Sequence, residues 1–575
     1  MLPRIRTLCI VVCFGCWAVT ASTPARAAER ANVLWISVDD LNDWVGPLGG
    51  HPQTKTPHLD RLAERGVTFA NAHCNVPICS PSRTSFMTGV QPFRSKVLTN
   101  GDALFDLEGR FKTLPEHLAG QGYRTLGAGK LFHGSGGRYA DLFDRYGPDS
   151  GNQGGPFTKE ELDTQKQNPT HEVDRGDGGL KAVLPMNNMP DDRRNERSRN
   201  NSFDWGPVNV ATAEMPDGMV ADWAVDRLAE PAGDGSEQPF FLGVGFYRPH
   251  QPLFAPEKYF QPFPESEIRL PATSRSDLDD LSPYATKLAR FPLTAGSHAT
   301  VVRHDQWHAA VAGYLACVHF VDDLIGRVVD GLDASSHAEN TWIIVFSDHG
   351  YHLGEKEHWG KFTTWQRSTR VPLIVVPPKS AEGFRRGVRV DAAVSLVDLF
   401  PTVVDVCDLN APAHALDGDS LRPFLDGSAS RDQVEGRVAI TTVGRGSYSI
   451  RSNRYRYVHY FDGSEELYDH ATDPNEWNNL AEEAGLRPVR RTMKRHLPDE
   501  PEVARYVRYG DWKAVLFDDA QTKPILYPIQ PGTGSGGGIG ETANLADRHP
   551  EVLRAIREAL RDVPADMKHV TLSPN

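Results

Sequence analysis

"NVLWISVDD", residues 32 to 40, is a nearly unbroken apolar and β-branched run that ends in two aspartates. A strand with one wet face alternates polar and apolar side chains; this one has no polar face, so it reads as a strand buried on both sides. Similar runs recur at "YRTLGAG" (123 to 129), "FFLGVGF" (240 to 246), "TWIIVFS" (341 to 347) and "VPLIVVP" (371 to 377). Helical patterns separate them. One is "TPHLDRLAERG" (56 to 66), with Pro57 in its first turn and Gly66 as its stop; the longest runs from about Asp305 to Leu332. Strands alternating with helices predict an α/β fold, with a large mixed, mostly parallel sheet flanked by helices.

The pattern fails between Gly134 and Pro216, a stretch rich in Gly, Asn, Asp and Arg that reads as an insertion near a binding site. Its arginine run, "PDDRRNERSRNN", reads as a solvated loop. Near residue 440 the texture changes to short β-like segments. The expected organisation is therefore a catalytic domain over 28 to 440, with 134 to 216 inserted, and a smaller antiparallel-sheet α+β domain over 441 to 575. Within that domain "YSIRSNRYRYVHYF…ELYDHATDPNEWNNLAEE" is similar to "RYVRYGDWKAVLFD…ILYPIQPGTGSGGGIGETANLADRHPE", which opens the possibility of an internal duplication. Chance likeness of two hairpin-and-helix units is the alternative. At 575 residues the chain exceeds the size of a single ordinary core.

At the N-terminus, Arg4 and Arg6 precede an apolar run from Leu8 to Val19, too short to span a bilayer, and Ala25-Arg26-Ala27 fits a cleavage site. Residues 1 to 27 thus read as a signal peptide, and the protein as exported, periplasmic or secreted. No later segment reads as apolar enough to cross a membrane. The formal charge of −13 becomes −16 once Arg4, Arg6 and Arg26 leave, which argues against nucleic acid as a partner. An anionic substrate then requires a locally basic pocket. Beyond the leader only Cys74, Cys79, Cys317 and Cys407 remain. Cys317 and Cys407 lie in apolar stretches and read as core, so disulfides are not expected to build the fold.

In open parallel sheets, functional groups gather beyond the carboxyl ends of the strands. Here one strand exits into Asp39-Asp40 and another into Asp348-His349. Three carboxylates and an imidazole could converge on one divalent cation; an oxygen-rich set favours Ca²⁺, with Mg²⁺ possible, over zinc, although His349 weakens that preference. Cys79 precedes "SPSRTSFMTG", which reads as a helix start, so the thiol should lie at the positive end of a helix dipole with Arg83 one turn away. A disulfide or metal clip with Cys74 is the alternative use of that thiol.

Cys79-Ser-Pro-Ser-Arg83 matches the Cys-x-Pro-x-Arg signature, and the chain resembles the type I, formylglycine-dependent sulfatases along nearly its whole length, including "GKLFH", "SDHG", "GEKEHWGK" and "ETANLADRHPEV". His349, "GFYRPHQP" and "GEKEHWGK" are similar to the iduronate-2-sulfatase branch, where many other sulfatases carry asparagine for His349. The resemblance implies an alkaline-phosphatase-like sandwich with a smaller C-terminal sheet domain. It implies that a formylglycine-generating enzyme oxidises Cys79 to an aldehyde, whose hydrate attacks the sulfur of a sulfated glycan and later expels sulfate. It implies one metal ion per chain, held by Asp39, Asp40, Asp348, His349 and an oxygen on modified residue 79. Arg83 would hold that residue. Lys130 and His133 would contact sulfate and the diol, with His133 the base for sulfate release; His250 and Lys361 would contact the ester oxygens and protonate the leaving alcohol.

Each site residue also has an ordinary reading. Lys130 would be a surface lysine and His250 a turn histidine, while His352 and His358 are further candidates by composition alone. Trp359 and Trp365 could stack on a sugar or fill a core. Two other functions stay open: a phosphoryl hydrolase of the same superfamily, for which no clear second metal set is present, and a non-catalytic glycan-binding relative whose Cys79 is never converted.

Overall fold

In the computed structural model, the described residues run from 30 to 572, apart from 103–110, 135–138, 150–153, 168–170, 177–178, 193–201, 231–237, 294–295, 500–502, 511, 518–523, 529–545, 547–548 and 562–568. The leader and the arginine run after Asp192 lie outside them.

The opening stretch forms strand β1 (Asn32–Val38), with all seven residues buried. Its side chains alternate between two cores. Leu34, Ile36 and Val38 face one apolar layer, Val33 and Trp35 the other, which is the period of two expected of a strand covered on both sides. The main sheet comprises β1, β2 (Val67–Phe69), β3 (Arg124–Gly129), β4 (Arg145–Tyr146), β5 (Phe240–Phe246), β6 (Thr341–Ser347), β7 (Leu373–Val376) and β8 (Val388–Val390), in the order β8-β2-β7-β6-β1-β5-β3-β4. β6, β1, β5, β3 and β4 are mutually parallel. β7 is antiparallel to both β6 and β2, so it alone runs against the sheet. The sheet is mixed and mostly parallel, as expected; the reversal of "VPLIVVP" is invisible in its composition, because a strand buried on both faces reads alike in either direction.

One layer is built from helices α1 (Pro57–Arg65) and, further along the chain, α3 (Pro216–Ala229) and α4 (Trp307–Asp333); the opposite layer holds α2 (Cys79–Thr88) and α5 (Leu399–Val406). α4 corrects one expectation. It is long and apolar enough to cross a membrane by length and composition, but 83% of its most apolar window is buried inside the protein. Its apolarity is that of a core helix packed on α1 and α3. Cys317 on α4 is buried, as is Cys407, and all four cysteines of the described chain are free thiols, so no disulfide joins Cys74 to Cys79.

The 134–216 segment is not without structure. It contributes edge strand β4, a helix at Lys159–Gln167, a hairpin pairing His171–Asp174 with Lys181–Leu184, and the strand Trp205–Val208, which pairs in parallel with Leu253–Pro256. These pieces are too short to impose a readable period.

The C-terminal part forms two four-stranded sheets. The first is β9 (Ala439–Thr442), β10 (Tyr448–Arg451), β11 (Tyr455–His459) and β12 (Glu465–Asp469), followed by α6 (Arg487–Lys494). The second is β13 (Val503–Tyr509), β14 (Trp512–Phe517) and β15 (Ile525–Pro528), then α7 (Pro550–Ala559) and β16 (His569–Leu572), which pairs in parallel with β13. Each half of the suspected repeat thus holds three successive antiparallel strands and a helix.

One close approach in the main sheet sets the site. A Cβ on Gly245 would sit 2.2 Å from the carbonyl carbon of Lys130, while Lys130 N donates to Gly245 O at 2.7 Å. The exit of β3 therefore lies flush on β5. Gly245→Ala is expected to push the Lys130 backbone away, and a displacement of about 1 Å lowers kcat/KM about 100-fold where the displaced side chain meets reacting atoms. An unchanged kcat/KM would remove Lys130 from the machinery.

Candidate active site

β1 and β6 end side by side, and their exits are tied together. Asp348 N donates to Val38 O at 3.0 Å, and Ser347 Oγ donates to Val38 O at 3.1 Å and accepts from Leu41 N at 3.1 Å. Asp40 adopts a left-handed backbone (φ 62°), unusual for a residue with a Cβ. Tyr314 of α4 holds that turn: its hydroxyl donates to Asp40 O at 2.7 Å and accepts from Asn42 N at 2.9 Å. The turn brings the Asp39 and Asp40 carboxylates to the same place despite their adjacency.

Cys79 is the first residue of α2, as its sequence position predicts, and every residue of that helix is buried. Ser82 Oγ donates to Asp348 O at 2.6 Å, fixing the helix to the exit of β6. The Cys79 Sγ lies 3.4 Å from Asp39 Oδ1, 3.4 Å from His349 Nε2, 3.2 Å from Lys361 Nζ and 3.8 Å from Lys130 Nζ. Burial opposes ionisation of the thiol, but Lys130, Lys361, His349 and His133 outweigh it and hold its pKa well below the usual range.

The cations are bound as tightly as the anions. Lys361 Nζ donates to Asp40 Oδ1 at 2.6 Å, and Lys130 Nζ pairs with Asp39. Arg83 presents Nε and Nη2 to Asp348 Oδ2, each at 2.9 Å, approaches Asp39 at 3.5 Å and donates to Lys130 O. Burial works against the Asp39 carboxylate, as does Cys79; Lys130, His250 and Arg83 more than compensate and hold its pKa low. Asp348 goes the other way. Burial, with Asp39 adding to it, pushes it up to about 7 against the pull of Arg83.

Ligand atoms of Asp39, Asp40, Cys79 and His349 all lie within 4.8 Å of one another. Asp348 stands beside them, its Oδ2 3.5 Å from His349 Nε2. His250 reaches the rim: its Nδ1 contacts Gln251 O at 2.6 Å, so this nitrogen carries the hydrogen and Nε2 faces Asp40 Oδ2 at 4.0 Å. His133 is half-buried and interacts with the thiol. Asp39, Asp40, His349, Lys130 and Lys361 thus gather around the Cys79 sulfur, with Arg83 and Asp348 paired behind Asp39 and His250 at the rim beside Asp40.

Residues 31–409 match the sulfatase family model. The chain belongs to the sulfatase family. A second model, described as N-sulphoglucosamine sulphohydrolase, C-terminal, matches residues 354–502 of this sulfatase. It is 34% identical to a sulfatase of Formosa agariphila over 82% of its own length and 87% of that protein's. It is 28% identical to the iduronate 2-sulfatase of Mus musculus, covering 71% of the chain and 75% of the relative. Among solved structures it superposes on the phosphonate monoester hydrolase of Agrobacterium radiobacter with a TM-score of 0.62 and 25% identity, covering 81% and 94% of the two chains. The fold is that of the alkaline-phosphatase-like sulfatases, and the family works with a metal ion and formylglycine.

The residues present fit a divalent cation. Asp40 Oδ2 is buried with no hydrogen-bond partner, an acceptor that a metal would satisfy. The donor set is mostly carboxylate oxygen, suited to a hard cation. Asp39, Asp40, Asp348 and His349 would hold it.

Several supporting residues of the sulfatase escaped the sequence reading. Tyr247, two residues before Pro249 in the "YRPHQP" stretch, places its ring 4.4 Å from Lys130 Nζ, a cation–π contact. Asp217 on α3 accepts from the backbone N–H groups of Tyr247 and Arg248 at 2.8 Å each, locking that loop. Lys356 has φ 57° and is buried, bonding Asp277 Oδ1 at 2.6 Å and Glu476 O. Glu476 also accepts from Gln366 N at 2.8 Å and pairs with Arg456, so the C-terminal sheet clamps the loop that bears Lys361. A motif read for its charges hides such roles, because they fall on residues distant in sequence. His352 and His358 are structural: His352 bonds Thr363 Oγ1 at 2.9 Å, and His358 sits between the carbonyls of Ala289 and Lys361. Trp359 and Trp365 are both 1% exposed and pack in the core.

Proposed function

We propose that this sulfatase hydrolyses a sulfate ester of a sulfated carbohydrate, using Cys79 converted to formylglycine, and that its specificity is of the iduronate-2-sulfatase kind. The observation that carries the reading is the enclosure of Cys79 Sγ by Lys130, Lys361 and His349. In the converted residue, the diol oxygens stand where the sulfur is now. These cations would receive an anionic sulfuryl group and favour loss of a proton from a hydroxyl.

The roles follow from position. One hydroxyl of the residue 79 hydrate attacks sulfur, and the S–O bond to the sugar breaks in line. His250, on the rim, and Lys361 face the departing oxygen and give it a proton. The sulfate is then carried on residue 79. His133 takes the proton of the second hydroxyl, the C–O bond to sulfate breaks, and the aldehyde returns. Arg83 keeps Asp348 and Asp39 in place throughout. When bound, a single Ca²⁺ or Mg²⁺ supplies Lewis acidity toward the sulfate oxygens. Maturation by a formylglycine-generating enzyme, and export to the periplasm or medium after removal of residues 1 to 27, belong to the same proposal.

The test combines two measurements on protein from a host able to convert cysteine. Mass spectrometry of the peptide bearing residue 79 is expected to find aldehyde, and a panel of sulfated oligosaccharides with an aryl sulfate control is expected to release sulfate. Intact thiol in active protein would defeat the mechanism; intact thiol with glycan binding and no turnover would establish the binding relative. The likeness to the phosphonate monoester hydrolase favours a second reading, hydrolysis of a phosphonate or phosphate ester. Faster turnover of an aryl phosphonate than of any sulfate would establish it.

Chelation gives an independent check. Stripping divalent cations is expected to lower aryl sulfate turnover at least about 100-fold, with recovery on adding Ca²⁺ or Mg²⁺ and one ion bound per chain. Two zinc ions per chain would point to the phosphoryl reading.

A further inference from the structure

α6 and the residue after it carry Arg487, Arg490, Arg491, Lys494 and Arg495, and the stretch from Ala484 to Pro498 holds no carboxylate, in a chain of formal charge −13. Met493 is the helix's buried residue. It seats α6 on Ile450, Tyr457 and Leu467 of β10, β11 and β12. Two of the cations have partners: Arg490 lies 3.4 Å from Glu465, and Lys494 lies 2.6 Å from the same carboxylate. Arg487, Arg491 and Arg495 are exposed and, among the described residues, make no ion pair. Arg495 keeps helical backbone angles, so the three stand four residues apart in one row. At 1.5 Å per residue the row is about 12 Å long.

Like charges at that spacing repel on a helix, and no described ion pair to these three arginines offsets the repulsion. We infer that this row is a docking site for a sulfated or carboxylated polysaccharide, separate from the active site. The inference rests on the sulfated-carbohydrate reading above. The other face of the same sheet presents Val458, Tyr460 and Tyr468 to Phe362 and Trp365, the neighbours of Lys361. The sheet therefore stands between the row and the loop that bears Lys361. A monosaccharide cannot touch both; a polymer can. Single-stranded nucleic acid, the other common polyanion, is gripped by aromatic side chains interleaved with basic ones, and the stretch from 484 to 498 has no Phe, Tyr or Trp.

The test uses the full chain with Cys79→Ala, so that binding is measured without turnover. Retention on immobilised heparin is followed as NaCl is raised, with and without the triple substitution Arg487→Ser, Arg491→Ser and Arg495→Ser. The triple variant is expected to bind heparin at least about 10-fold more weakly, with the slope of log Kd against log salt reduced by about two. In chains that keep Cys79, it should leave kcat/KM for aryl sulfate unchanged and lower it for a sulfated polymer. Equal heparin retention overturns the docking site, as does tighter binding of a single-stranded oligonucleotide than of heparin. An unsubstituted chain that turns over no sulfate ester counts against the proposed function instead, and the heparin comparison still decides the row.

Discussion

Cys79→Ala is expected to lower aryl sulfate turnover by about 10⁴- to 10⁶-fold, the scale on which loss of a covalent nucleophile is felt. Stability should change little. Lys130 keeps Asp39 and Lys361 keeps Asp40 when the sulfur is gone, so no buried charge loses its last partner, and denaturant midpoints of the two proteins should agree within about 1 kcal/mol. Cys79→Ser separates the chemical step from the release step. An unconverted serine has one hydroxyl. It can accept a sulfuryl group but has no second hydroxyl whose proton loss expels it, so a single burst of phenol per chain is expected, followed by a stable sulfated protein. A Cys79→Ala chain that keeps a tenth of the parent's rate would place the nucleophile elsewhere.

How much of this could be read from the chain depended on how local each signal was. β1 and Asp39-Asp40 are contiguous, and burial on both faces leaves a composition that only a few architectures allow; the strand and its carboxylates could be named together. Cys79 and Arg83 fall one turn apart on a single helix, so their meeting was fixed by helical geometry. The resemblance to sulfatases brought in Lys130, His133, His250 and Lys361, none of which spacing alone distinguishes from surface residues. What remained hidden depends on tertiary neighbours. Tyr314 supports Asp40 from a residue 274 positions away, and Glu476 clamps Gln366 from 110 away. The reversal of β7 was hidden because direction leaves no mark on an all-apolar strand. α4 was under-read: its composition is apolar enough for a membrane, and only its burial shows that protein surrounds it.

Arg83 yields the second large effect, and on stability as much as on rate. Its side chain is 1% exposed and that of Asp348 is fully buried. Arg83→Ala leaves Asp348 without the guanidinium that presents both Nε and Nη2 to it, and removes one of the charges facing Asp39. Taking away one partner of a buried ion pair costs up to about 3–5 kcal/mol, part of which His349, 3.5 Å from Asp348 Oδ2, offsets here. The urea midpoint of Arg83→Ala should fall accordingly, and further in chelator than with Ca²⁺ present, since a bound cation would offset part of the same negative charge. Arg83→Lys should recover only part of the loss, because an ammonium cannot reproduce the planar fork of donors. The decisive comparison is the double variant Arg83→Ala with Asp348→Asn. If the cost is the stranded carboxylate, the double variant should be more stable than Arg83→Ala alone while remaining inactive, because a neutral amide returns the fold's electrostatic balance without restoring the group that holds the site. Were Arg83→Ala to unfold within about 1 kcal/mol of the parent in chelator, the ion pair would contribute nothing net, and the coupling between the exit of β6 and α2 would have to come from the Ser82 hydroxyl bond to Asp348 O.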